Sequence, residues 1–126
     1  MRGQLTIILI VCFNITMAQD KVFELISSDN SGIHFNNLIE DRKDRSILLY
    51  ANYYGGAGVG IADFNNDGLQ DIYFTGNLVG DKIYKNNGSL EFLDLTKSSG
   101  IVDNGSWSSG VSLADVNNDG LVDIYI

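Results

Sequence analysis

Hydrophobic positions along the chain fall into two regimes. Residues 5–13 form a nearly unbroken apolar run, whereas beyond residue 58 apolar residues come in short runs that alternate with small or polar ones, the period of half-buried strands. Val59 and Ile61 alternate with small residues leading into Asp63, and Ile72, Tyr73 and Phe74 follow Asp71. Residues 82–85 and 90–95 supply two further runs, the last alternating through Leu90, Phe92 and Asp94. Gly76-Asn77, Gly80-Asp81 and Asn86-Asn87-Gly88-Ser89 break the pattern with turn-forming residues. Four strands per unit are expected.

Residues 58–73 realign with residues 110–125 at an offset of 52, and twelve of the sixteen positions are identical. A period of about fifty residues is the size of one propeller blade, and about three or more such units normally stack before their apolar faces are covered. The expected class is all-β, with β-propeller blades that are each a four-stranded antiparallel unit. The organisation that follows is a signal peptide at 1–18, a lead-in segment at 19–50, a first blade at 51–102 and the start of a second at 103–126. The sequence is thus expected to be the N-terminal fragment of a longer, truncated repeat protein.

The N-terminal run has its own explanation. Arg2 gives a small positive start, the apolar stretch follows, and Thr16-Met17-Ala18 ends in the small residue that signal peptidase favours. A buried N-terminal strand or helix is the alternative; a membrane span is not, because nine residues fall well short of the ~20 that cross a bilayer. Cys12 follows Val11 where a lipoprotein signal wants Gly, Ala or Ser, which disfavours lipid anchoring. Cleavage after Ala18 would leave Gln19 first and remove the only cysteine, so no disulfide framework exists and another staple is needed.

Charge narrows the choice of staple and partner. Sixteen Asp and Glu face eight Lys and Arg, a formal net charge of −8. Phosphate would be repelled, so nucleic-acid and anionic-membrane partners are unfavoured. With 14 Gly and no Pro, turns are left to Gly, Asn and Asp.

The acidic residues concentrate in two nine-residue loops: Asp63, Asn65, Asp67, Gly68 and Asp71 in the first, and Asp115, Asn117, Asp119, Gly120 and Asp123 at the same spacing in the second. Calcium takes six to eight hard oxygen ligands. Side chains at loop positions one, three, five and nine, with the backbone carbonyl at position seven (Leu69 and Leu121), can curl around one ion if Gly at position six permits the sharp turn. Three carboxylates within ~5 Å repel by roughly 3 kcal/mol per pair at an effective dielectric of about 20, so such a loop calls for a cation. An EF-hand would place a bidentate Glu at position twelve, where Phe74 and Ile126 stand. A pair of plain hairpin turns at Asp67-Gly68 and Asp119-Gly120 is the simpler reading, but it leaves the other aligned donors unexplained.

At these residues the sequence resembles the FG-GAP or VCBS repeats of integrin-type β-propellers. The flanks Ser31-Gly32-Ile33-x-Phe35, Tyr84-x-Asn86-x-Gly88 and Phe92-x-Asp94-x-Thr96 are similar to the exported ASPIC/UnbV, cartilage acidic protein-like group. The resemblance runs from about residue 31 to residue 126 and implies calcium ligands at Asp63, Asn65, Asp67, the Leu69 carbonyl and Asp71, and at Asp115, Asn117, Asp119, the Leu121 carbonyl and Asp123. Such propellers usually have about seven blades, and some relatives carry a C-terminal ASPIC/UnbV segment that does not occur in this sequence.

Other constellations are weaker. Gly56, Gly58 and Gly60 lack the strand-to-helix setting of a nucleotide loop and suit close strand packing. His34 is the single histidine, with no nucleophile tied to it. Tyr50, Tyr53, Tyr54 and Trp107 offer either a ligand platform or blade-to-blade packing, with packing preferred because aromatics recur just before each repeated strand. The expected function is an exported calcium-binding β-propeller module for protein or glycan binding or adhesion, secreted or held at the cell surface or in the periplasm. The alternative is an extracellular hydrolase or lyase acting on polysaccharide; no catalytic residue is assigned.

Overall fold

The computed structural model describes residues 22–102 and 106–126; the signal segment read at 1–18 lies outside them. Six short strands form: β1 (Val59–Ala62), β2 (Asp71–Phe74), β3 (Lys82–Asn86), β4 (Phe92–Asp94), β5 (Ser112–Ala114) and β6 (Asp123–Tyr125). The first four make one antiparallel sheet in sequence order, and β5 and β6 make a separate antiparallel pair. This is the up-and-down unit that the alternating pattern implies, followed by the first hairpin of its repeat. Among the described residues the fold is all-β apart from one four-residue helix, α1 (Ser28–Ser31).

Register follows from the turns. In β1 and β2, Ile61 faces Ile72 and Ala62 faces Asp71, so the nine-residue loop closes a hairpin whose last pair is Ala62 with its own final carboxylate. The second repeat keeps the register, with Leu113 opposite Ile124 and Ala114 opposite Asp123. Residues 90–95 form a shorter strand than expected. Ser89 and Leu90 have left-handed backbones, φ 53° and 61°, and turn the chain before β4 begins at Phe92. Leu90 consequently lies exposed at the turn.

The buried apolar side chains are three tyrosines, Tyr53, Tyr73 and Tyr84, and they share the interior with Ser31, Asp71, Thr75 and Asn77. A core this polar has to be hydrogen-bonded throughout. Thr75 extends the β1–β2 ladder: its N–H reaches the Gly58 carbonyl at 3.0 Å, and its hydroxyl accepts the Gly58 N–H at 2.6 Å. Tyr73 donates to Asp81 at 3.0 Å, and the other Asp81 oxygen accepts the Gly76 N–H at 2.8 Å. Ser108 closes the network, its hydroxyl on Asp81 and its carbonyl accepting from Asn77 Nδ2.

The lead-in segment is bound to this sheet and does not stand apart from it. Phe35 stacks on Phe74 with ring centroids 4.8 Å apart, and Asn37 exchanges two hydrogen bonds with Asn77, side chain to side chain at 2.7 Å and from the Asn77 N–H at 3.0 Å. Tyr53 donates to the Glu40 carbonyl and packs its ring 5.3 Å from Trp107. Trp107 also meets Tyr50 edge-on at 5.6 Å. The aromatics therefore tie the lead-in to the approach of the second repeat.

The two repeats touch through glycine. A Cβ on Gly58 would come within 2.9 Å of the Val111 nitrogen, and one on Gly60 within 3.1 Å of the Leu113 side chain. Small residues on the inward face of β1 let β5 approach its backbone, while Val59 and Ile61 point outward, 56% and 58% exposed.

Two outcomes are expected from this packing. Gly58→Ala has to push the second hairpin away from a backbone that cannot yield like a side-chain tip, costing about 1–3 kcal/mol, as overpacking typically does; a lower urea midpoint measures it. Burial, and secondarily the Asp81 carboxylate, raise the Tyr73 phenol above its ordinary value of 10.0. The fold therefore prefers the protonated phenol. Its stabilising contribution is whole below about pH 10 and fades as pH climbs from there towards the raised folded value. Thermal melts across alkaline pH should show this decline, and Tyr73→Phe should flatten it.

Candidate metal site

Both loops adopt the same backbone path. Positive φ occurs at positions four and six of each, Asn66 at 58° and Gly68 at 86° in the first, Asn118 at 62° and Gly120 at 86° in the second. Glycine takes that conformation freely, and asparagine tolerates it better than most residues. The duplicated Asn-Asp-Gly core thus specifies two left-handed residues flanking Asp67 and Asp119.

Side-chain oxygens then gather the N–H groups that the tight path leaves unpaired. Asp63 accepts from Asn65 at 3.3 Å and Asp67 at 3.1 Å through one oxygen and from Gly68 at 2.7 Å through the other. Asn65 Oδ1 accepts the Asp67 N–H at 2.9 Å, and Asp67 accepts the Leu69 N–H at 3.0 Å. The second loop repeats this. Asp115 takes the N–H groups of Asp119 and Gly120 at 3.1 and 2.9 Å, Asn117 takes Asp119 at 2.9 Å, and Asp119 takes Leu121 at 2.8 Å.

The ninth residue ends the loop by a different route. Asp71 is 3% exposed, yet both its oxygens are satisfied, one by the Phe64 N–H at 3.2 Å and the other by the Asn86 N–H at 2.8 Å. Asp123 accepts the Val116 N–H at 3.0 Å in the same way. Asn86 completes the join by donating from its side chain to the Gln70 carbonyl at 2.9 Å. β3 thereby braces the first loop.

Electrostatics distinguish the central carboxylates. Lys85 Nζ lies 3.0 Å from Asp67 Oδ2 and, ahead of the Leu69 N–H, holds the Asp67 carboxyl below its ordinary value. Asp119 is lowered too, first by the Leu121 N–H and then by Asn117, whose Nδ2 donates to Asp119 at 2.9 Å. The loops also meet each other, since Asn66 Nδ2 donates to the Gly120 carbonyl at 3.2 Å.

All ten predicted donor residues therefore fall within two loops of one design. Their carboxylates are turned onto loop N–H groups, and among the described residues no three His, Cys, Asp or Glu side chains form a ready metal cluster. Leu69 and Leu121 enter these hydrogen-bond chains through their N–H groups. In kind, the donor set suits a hard divalent cation, being oxygen throughout, and the Lys85 ammonium already stands as a cation on one of those oxygens.

The model of the FG-GAP-like repeat matches residues 63–126, slightly more than half of the chain. That span opens on the first loop's first carboxylate and takes in the second loop whole. The chain belongs to the FG-GAP-like repeat family. Cartilage acidic protein 1 of Xenopus tropicalis is 35% identical over 89 residues, covering 64% of this chain and 14% of that protein. Its Homo sapiens counterpart is 34% identical over 74 residues, covering 59% of this chain and 11% of that protein. The chain thus spans a small part of either relative. No solved structure matches it.

Within this FG-GAP-like unit, ligand spacing alone did not reveal Asn66, Lys85 and Asn86. Asn66 is legible in retrospect, because an asparagine before Asp-Gly signals a left-handed residue. Lys85 and Asn86 act from another strand; Asn86 is marked only as a turn residue and in the Tyr84-x-Asn86-x-Gly88 flank, and no local pattern marks Lys85.

Asp71→Asn sets an amide NH2 against a backbone N–H and breaks one of two charge-assisted bonds, so it should cost about 1–3 kcal/mol even in chelator. Gln70→Ala keeps the backbone carbonyl that Asn86 uses and should cost little. Urea unfolding of both variants in chelator checks the contrast.

Proposed function

We propose that the chain is an exported β-propeller repeat module in which calcium steadies each loop, leaving the connections between strands to bind a protein or glycan partner. One observation carries the reading: two loops 52 residues apart keep the same donor order, the same left-handed positions and matching N–H bonds, from position five to positions one and three, from six to one and from seven to five. A bare hairpin turn requires only its Asp-Gly pair, whereas here every aligned oxygen donor is retained. A carboxylate has about four lone-pair sites over its two oxygens, and the N–H groups fill at most three of them, at Asp63, so Asp63, Asn65, Asp67, Asp71 and the Leu69 carbonyl, with their counterparts Asp115, Asn117, Asp119, Asp123 and the Leu121 carbonyl, are the groups that would hold an ion. When bound, calcium supplies the positive charge that offsets their mutual repulsion.

Export rests on the N-terminal apolar run at residues 5–13 with Ala18 at the expected cleavage position, and on the similarity to cartilage acidic protein 1. Among the described residues, no helix is long and apolar enough to cross a membrane. For a partner, a cleft of about 510 Å³ is lined by Trp107, Tyr50, Tyr53, Leu49, Asp44 and Arg45. A polysaccharide-cleaving role would draw on acids outside the loops. There, Asp81 holds Tyr73 and Ser108, and Asp94 holds Lys82 and Thr96.

Melting the chain with calcium and with chelator tests the reading. At 100 times its dissociation constant an ion stabilises the fold by about 2.7 kcal/mol per site. Asp67→Ala should remove most of the first loop's share and Gln70→Ala almost none. An unchanged melting temperature in chelator would overturn it.

A further inference from the structure

We infer that Lys85 is a built-in competitor for the cation of the first loop and weakens calcium binding there. The inference rests on the calcium reading above and adds to it a residue from outside the nine-residue pattern. Lys85 lies on β3, opposite Leu93 of β4, and its ammonium reaches Asp67 Oδ2 at 3.0 Å. Asp67 stands at the loop's centre, between the left-handed residues Asn66 and Gly68. Its other oxygen is engaged by the Leu69 N–H, so the oxygen under Lys85 is the one left to face a cation.

In the second loop the same carboxylate has a different neighbour. There Asp119 Oδ2 takes the neutral Asn117 amide, and among the described residues the ion pairs of the chain are elsewhere: Arg42 with Glu40, Arg45 with Asp44 and Lys82 with Asp94. Loop two therefore reports calcium binding separately from the Lys85–Asp67 contact. A divalent ion entering loop one must displace a tethered monovalent charge or bind beside it. Either event weakens binding, and the ammonium leaves the ion-free first loop less repulsive than it would be without it.

Two readouts test the inference. Calcium titration followed at the Gly68 and Gly120 amide resonances reads each loop separately, since these N–H groups donate to the first carboxylate of their own loop. Thermal melting in chelator reads the ion-free state. Lys85→Gln should tighten calcium at Gly68 by about three- to tenfold, the scale expected of a partly screened charge, leave Gly120 unchanged and lower the melting temperature in chelator. Lys85→Arg, which keeps the charge, should stay near the unsubstituted chain in both. Equal affinity at Gly68 in the Gln variant and the unsubstituted chain, with calcium still binding at Gly120, would overturn the role of Lys85 and leave the calcium reading standing. An equal rise at both glycines would also overturn it, because the effect would then be one of net charge. No calcium response at either glycine in any variant would overturn both.

Discussion

A carboxylate in a tight surface loop must be met by positive charge, and in this chain most of that charge comes from the backbone. Asp63 alone collects three N–H groups, and Asp115 collects the matching ones from Asp119 and Gly120. Those hydrogen bonds fix the left-handed turns at Asn66 and Gly68, and the turns fix where Asp71 re-enters the sheet opposite Ala62. Strand register, loop shape and the placement of candidate ligands are consequences of one electrostatic arrangement. Were the carboxylates apolar, the N–H groups they cover would lack acceptors and the hairpin would have no reason to hold nine residues in so small an arc.

The same economy of space explains the glycines of β1. Gly58 and Gly60 face the second repeat so closely that any side chain there would meet Gly110, Val111 or Leu113. Leu113 corresponds to Ile61 at the repeat offset, so the residue that packs onto Gly60 is the counterpart of one left exposed in the first unit. A repeat of this kind is directional: its outward apolar pair suits the glycine face of a neighbour, and its glycine face receives the apolar pair of the next. That geometry is the physical content of the tendency of such units to stack.

Much of this was legible in the sequence, and the remainder has a common cause. Alternation and turn residues located all six strands, because each is decided by its own few residues. The duplicated loops announced two matching turns, because an Asp-Gly core with flanking acids is a local signal. Leu90 continues the alternation that points to β4, whereas Ser89 and Leu90 turn left-handed beside Gly88. Thr75 and Ser108 were silent, and Asn86 showed only as a turn and flank residue, not as the brace of the loop. Each satisfies a partner at least fifteen residues away, and no periodicity encodes a contact at that range.

Those silent residues bear on how a site on a loop can influence the whole unit. Asp71 belongs both to the loop, through Phe64, and to β3, through Asn86, so a change in the loop's charge reaches the strand that carries Lys85 and Tyr84. Asn66 reaches across to Gly120, joining the two loops directly. Between the repeats, Ser108 and Asn77 link the Asp81 network of one to the approach of the next, and Asn37 adds the lead-in. Charge placed in either loop therefore acts on a connected frame of hydrogen bonds. Because that frame fills an interior with little apolar bulk beyond its tyrosines, the rigidity of the unit depends on satisfying its polar groups more than on the volume it buries.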